Sequence, residues 1–188
     1  MNWYEKLNTY FPTVEMKSKA QLDALLSEKG DIYVKDEGPY HILMYAEFDT
    51  FIFIDFLLVS GASRGKGIGH QLMERLKVKN KPIILEVEPV NEVDQDTKRR
   101  LHFYKREGFR HAVPIVYYFQ ALVANDETQM EILYWAKDDV SEKTIYENMI
   151  KVYEQIHSYK AETFYGYAPK PVNQIIRFEE ERQPRIHI

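Results

Sequence analysis

Nine residues, Gly61-Ala62-Ser63-Arg64-Gly65-Lys66-Gly67-Ile68-Gly69, are the part of the chain whose types and spacing speak most directly of chemistry. They come after an apolar run, Phe51–Val59, and lead into apolar residues at helical spacing, Ile68, Leu72, Met73 and Leu76. A glycine-rich turn from a buried strand into a helix is an anion site. The first helical N–H groups lack intrahelical partners, the helix dipole is positive there, and glycine lets the backbone approach a phosphate. Arg64 and Lys66 add positive charge. The spacing is not Gly-x-x-x-x-Gly-Lys-Ser/Thr, so a Walker loop is excluded. A Gly-x-Gly-x-x-Gly count from Gly65 or Gly67 ends on His70 or Leu72, so the dinucleotide fingerprint fails too. What remains is Arg64-x-x-Gly67-x-Gly69.

Acids stand nearby in unusual company. Asp55 interrupts the apolar run four residues before Val59, and Glu86 and Glu88, two apart on the next strand-like run, share one face. The six histidines show no metal-ligand spacing, and no metal is expected.

These groups need elements to position them. Ser18 and Gln21 read as a capping box before Leu22, Leu25 and Leu26, with Gly30 as the stop, which predicts a helix over about 18–29. Trp3–Phe11 is a second, weakly periodic helix. Ile32–Lys35, Tyr40–Glu47 and Phe51–Val59 read as strands, and the third, apolar on both faces, as a central one. Pro82–Val87 is again strand-like, and Asp94–Glu107 is helical up to Gly108. Val113–Ala124 and Met130–Ala136 form a hairpin expected to turn at Asn125-Asp126-Glu127-Thr128. Ser141 caps a helix with the stripe Ile145, Met149, Val152 and Ile156, read as core packing, with a homodimer contact as the lesser reading. The order β-α-β-α-β-β is that of an α/β (α+β layered) fold with a central mixed sheet. Residues 1–138 are read as the domain, and 139–188 as a C-terminal helix and tail appended to it.

Arg64-x-x-Gly67-x-Gly69 after Leu57-Leu58-Val59, together with Leu85-Glu86-Val87 and then Phe103-Tyr104-x-x-x-Gly108-Phe109, resembles the GNAT superfamily of acyl-CoA N-acyltransferases over residues 31–136. The resemblance implies acetyl-CoA as cosubstrate. It places the pyrophosphate on Arg64, Gly65, Lys66, Gly67, Ile68 and Gly69, and the pantetheine arm along Leu57, Leu58 and Val59. It implies splayed neighbouring strands with the thioester in the gap, and Tyr104 as the acid that protonates the departing thiolate. An acceptor amine, mostly ammonium at neutral pH, must first lose a proton. Asp55 or Glu86, through water, is the expected base, and strand-end N–H groups such as that of Val59 are oxyanion donors. Thr97 stands where the family commonly carries a bracing Asn. Plainer readings stand beside these. The glycines would merely allow a tight turn, Arg64 would form a surface ion pair, and Tyr104 would pack. Asp55 would be paired, for instance with Arg99 or Arg100.

Composition limits the function classes. The 188 residues carry 25 Lys+Arg against 29 Asp+Glu, a net charge of −4, so no basic surface for nucleic acid is expected. No apolar run reaches membrane-spanning length and no signal peptide is visible, so no membrane association is expected. The absence of cysteine excludes disulfides and thiolate chemistry, and fits a cytoplasmic protein. The expected partner is a primary amine on a small molecule or peptide. The rival is a coenzyme-A-binding module without turnover, which would have no use for Tyr104 or an acid near the thioester.

Overall fold

The computed structural model describes residues 1–63, 65–90 and 95–186. Arg64, placed by sequence in the phosphate turn, lies outside the described residues. Helix α1 (Trp3–Tyr10) begins at a capping box in which Asn2 accepts from the Glu5 amide and Glu5 accepts from the Asn2 amide. A 3-10 turn, Thr13–Glu15, leads to α2 (Lys19–Glu28). Strands β1 (Tyr33–Gly38), β2 (His41–Glu47) and β3 (Ile52–Val59) form an antiparallel meander. Then come α3 (Ile68–Lys77), β4 (Ile83–Val87), α4 (Gln95–Arg106), β5 (Arg110–His111), β6 (Ile115–Ala121) and β7 (Asp126–Trp135). The chain continues through α5 (Glu142–Val152), α6 (Ala161–Tyr165), α7 (Val172–Ile175) and β8 (Ile176–Phe178). The strand order β1-β2-β3-β4-β7-β6-β8 makes a mixed sheet, parallel only between β3 and β4, with β5 beside β7.

Helices cover both faces of this sheet. On one face, Leu72, Met73 and Leu76 of α3 and Leu101 and Tyr104 of α4 pack on Ile52, Ile54, Ile83 and Leu85. On the other, α1, α2 and α5 close over Phe51, Phe53, Phe56 and Tyr117. The stripe Ile145, Met149, Val152 and Ile156 is fully buried in this second cluster, so it serves the core and not a dimer contact. After Val152 the helix widens into a π turn, Tyr153–His157, in which the Ser158 amide reaches back to the Tyr153 carbonyl. The hairpin turns at residues 122–125, earlier than expected, because Asn125 (φ 49°) is the left-handed residue that ends the turn.

Two irregularities of β3 set the geometry around its C-terminal half. Its pairing with β2 passes from Met44↔Phe56 to Tyr45↔Ile54, which leaves Asp55 as an extra residue, a β-bulge. Its parallel pairing with β4 ends at Ile54↔Leu85, although β3 continues to Val59. Beyond that point the two strands part.

Candidate active site

The glycine turn meets α4 across a groove of about 420 Å³. One wall is Leu57, Val59, Ser63, Gly65 and Gly67–Gly69; the other is Arg99, Phe103, Tyr104 and Arg106 of α4. Gly67 is the N-cap of α3 with φ 76°, a left-handed conformation natural to glycine. Gly69 is required for closeness, since a Cβ there would stand 3.0 Å from the Phe103 ring. The groove therefore presents the free N–H groups of the first turn of α3, flanked by Arg99 and Arg106. Of the residues expected from sequence, Leu57, Val59, Gly65, Gly67, Ile68 and Gly69 line this groove. Leu58, on the opposite face of β3, instead lines a neighbouring cavity with Tyr10. The Lys66 ammonium lies 5.9 Å from the centre of the Tyr40 ring, away from the groove lining.

Arg99, Arg106 and Ser63 line the groove without having been read as site residues in the sequence. Arg99, Phe103 and Arg106 lie four and three apart, one helical face, and that spacing was a usable signal for the two arginines. Ser63 is 1% exposed, and its hydroxyl has no partner among the described residues; nothing local distinguishes it.

Where β3 and β4 part, a second, small cavity of about 60 Å³ lies behind the groove. Tyr104, Arg100 and Leu57 border both spaces. Tyr104 is 7% exposed and packs edge-on against Phe103 and Phe109. Burial, with a smaller contribution from Tyr10, raises its hydroxyl pKa well above the usual phenol value, against the pull of Arg100. It keeps its proton throughout the physiological range.

Four carboxylates line the small cavity: Glu15, Asp55, Glu86 and Glu88. Asp55 is neither free nor paired with Arg99 or Arg100. Its Oδ1 accepts from Lys17 Nζ at 2.6 Å and its Oδ2 from the Tyr33 hydroxyl at 2.5 Å, with Lys17 and Asp55 side chains only 4% and 3% exposed. Arg99 bonds Asp96 instead, and Arg100 reaches toward Glu15 and Glu88. Glu86 accepts from His157 Nε2 at 2.7 Å and interacts with the Tyr117 hydroxyl. The π turn brings His157 to this point, between the Phe53 and Phe119 rings. Glu15 had no sequence signal, because its three-residue turn has no period.

One further cluster, His70, Glu74 and Glu107, holds its ligand atoms within 4.8 Å of one another. The Lys77 ammonium, 2.9 Å from Glu74 and 3.2 Å from Glu107, already supplies a cation to both acids. No helix among the described residues is long and apolar enough to cross a membrane.

The sequence model of the Acetyltransferase (GNAT) domain matches residues 28–111. The chain is 54% identical over 187 residues to "Putative acetyltransferase YjbC" of Bacillus subtilis (strain 168), covering 99% of this chain and 97% of that protein. Among solved structures, it resembles "Putative acetyltransferase from GNAT family from Bacteroides thetaiotaomicron", with a TM-score of 0.61 and 26% identity over 87% of this chain and 90% of the other.

Proposed function

Because the chain belongs to the GNAT family of acetyltransferases, we propose that it moves the acetyl group of acetyl-CoA to a primary amine by direct attack. The observation that carries this reading is the meeting of two spaces at Tyr104. A groove of about 420 Å³ over the glycine turn reaches the strand gap, and a small acid-lined cavity shares Leu57, Arg100 and Tyr104 with it there. The first turn of α3 would hold the pyrophosphate, with Gly65, Gly67 and Gly69 allowing close approach and Arg99 and Arg106 supplying charge. The pantetheine arm would run along Leu57–Val59, whose edge toward β4 has no strand beside it. Acetyl-CoA would supply the activated acyl carbon, and the chain supplies orientation, oxyanion donors and protons.

The neutral amine attacks the thioester carbon and forms the C–N bond. The developing oxyanion is met by an N–H group at the end of β3, for which Val59 is placed. The C–S bond then breaks, and Tyr104, fully protonated at neutral pH, gives its proton to sulfur. Asp55 and Glu86, the base candidates from sequence, have their oxygens engaged by Lys17, Tyr33, His157 and Tyr117. We assign them to holding the cavity's shape and its negative field. His157 arrives from the segment after residue 139, so we treat that segment as part of the same domain. We place the reaction in the cytoplasm, as the cysteine-free sequence suggests.

The test is thiol release from acetyl-CoA with a panel of primary amines, beside a thermal-shift titration with coenzyme A. Release that depends on both acetyl-CoA and an amine supports the reading. Stabilisation by coenzyme A with no release for any amine would instead identify a binding module without turnover.

A further inference from the structure

Among the four carboxylates of the small cavity, hydrogen bonds occupy both oxygens of Asp55 and the head of Glu86. Glu15 differs. Its side chain is only 9% exposed, its Oε2 lies 3.6 Å from Arg100 Nη1, its head interacts with the Glu88 carboxyl, and its Oε1 is buried with no N–H or hydroxyl donor among the described residues. Arg100 Nε is likewise buried without a partner among the described residues. A buried acceptor left unmet costs about 1–3 kcal/mol, so such an atom calls for an explanation. This one lines a cavity that opens at the point where the acyl carbon would lie.

We propose that Glu15, carried by the 3-10 turn between α1 and α2, is the catalytic base that takes the proton of the acceptor ammonium, with Glu88 facing it. The proposal rests on the acyl-transfer reading and gives the acceptor's entry a chemical character: a cationic primary amine. The ammonium donates to Glu15 Oε1, and its N–H bond breaks as Glu15 becomes the neutral acid. The free amine then attacks. The second nitrogen proton leaves as the amide forms and replaces, through water, the one Tyr104 gave to sulfur. Glu15 returns its proton to solvent. The balance is one ammonium and one thioester converted to one amide, one thiol and one released proton.

The surroundings suit that task. Burial, then the charge of Glu88, raises the Glu15 carboxyl to about 7, while Arg100 acts in the other direction. A base poised near the working pH accepts and returns a proton with least loss. The groups facing it are Glu86 and Glu88 on and just after β4, Asp55 on β3, and Arg100 and Tyr104 on α4. From β6 and β7 the cavity receives only Phe119 and Met130, which carry no charge.

The experiment measures kcat/KM against pH from 6 to 9, with saturating acetyl-CoA and spermidine, L-lysine and an alanyl tripeptide as acceptors. Wild type is expected to gain activity through an apparent pKa near 7. Glu15→Gln should lose about 10²–10⁴-fold at pH 7, and less as pH 9 brings more free amine. Its coenzyme A affinity should be unchanged. Glu88→Gln removes the neighbouring charge without removing the base, so its ascending limb should move to lower pH. Two results overturn the proposal: Glu15→Gln keeping more than a third of wild-type kcat/KM at pH 7, or a Glu88→Gln limb that does not move. Wild-type turnover with either result leaves acyl transfer standing and removes Glu15 as base. No wild-type turnover with any acceptor removes the acyl-transfer reading itself, and this proposal with it.

Discussion

Lys17 and Asp55 form a buried ion pair whose strength can be measured by breaking it from either side. Nζ and Oδ1 are 2.6 Å apart, both side chains are at most 4% exposed, and Tyr33 completes the carboxylate. The Phe56 and Phe119 rings lie 5.3 and 5.7 Å from the ammonium, so little water screens the pair. Lys17→Met keeps the apolar stem and leaves Asp55 charged, buried and short of its cation. Breaking one side of such a pair costs about 3–5 kcal/mol. For a chain of this length each kcal/mol moves Tm by about 2–4 °C, so a fall of about 6–20 °C is expected. Asp55→Asn should cost a comparable amount, because it strands the ammonium. The double variant strands neither charge, so its loss should be smaller than the sum of the two by about 1–3 kcal/mol. Urea denaturation at pH 7, monitored by fluorescence of Trp3 and Trp135, gives all four corners of the cycle. Strict additivity, or a Lys17→Met loss below about 1 kcal/mol, would refute the pairing as a structural element. The same Asp55→Asn protein should show a rate ratio to wild type that is flat from pH 6 to 9, as befits a scaffold acid; a ratio that recovers with pH would restore Asp55 as a proton relay.

The site sets three further outcomes. Gly67→Asp, at φ 76° and at the start of α3, should weaken coenzyme A binding at least tenfold, about 1.4 kcal/mol, by calorimetric titration; unchanged affinity in a folded variant removes the turn from the phosphate site. Tyr104→Phe should leave melting nearly unchanged and lower the maximal rate by about 10²–10⁴-fold, and a loss under about threefold with chemistry rate-limiting returns Tyr104 to packing. Glu15→Gln should also reveal its proton thermodynamically. A carboxyl raised from 4.5 to about 7 binds its proton more tightly folded than unfolded, so wild-type stability declines as pH rises through that window. The Gln variant should match wild type near pH 4 and exceed it by about 3 kcal/mol at pH 8, and a difference constant with pH removes the raised pKa.

Much of this arrangement could be read from the sequence because its signals are local. The glycine turn, the central apolar strand, the Ser141 cap and the stripe of α5 each announce themselves within a dozen residues. What escaped depends on partners far along the chain. Ser18 does accept from the Gln21 amide, but Gln21's side chain donates to the His157 and Tyr159 carbonyls, and the Tyr165 hydroxyl accepts from the Ser18 amide in its stead. The capping box is thus half local and half tertiary. Asp55 interrupts an apolar run, which hinted at something special, yet neither the bulge nor Lys17, 38 residues away, could be read there. Glu15 lines the cavity from a short aperiodic turn, and His157 reaches Glu86 from a π turn, two backbone forms without a sequence period.

The burial of α5 against the sheet has a consequence for how the chain is made. Ile145, Met149, Val152, Ile156, Ile175 and Ile176 share one cluster with Phe53, Tyr117 and Ile132, and β8 pairs along β6. During synthesis the sheet emerges first, with α1 and α2 available to cover part of that face, the part under α5 bare, and the β6 edge open. At about 5–20 residues per second, the stretch from Ile145 to Phe178 takes about 2–7 s to emerge after it. For that interval the nascent protein displays an apolar surface and an unpaired strand edge, the features that invite association with other chains. A ribosome that stalls after Trp135 would release a sheet with the glycine turn in place and without the cover of α5 or the pairing of β8. Such a fragment is a candidate for chaperone capture or precipitation, whatever the state of its phosphate turn.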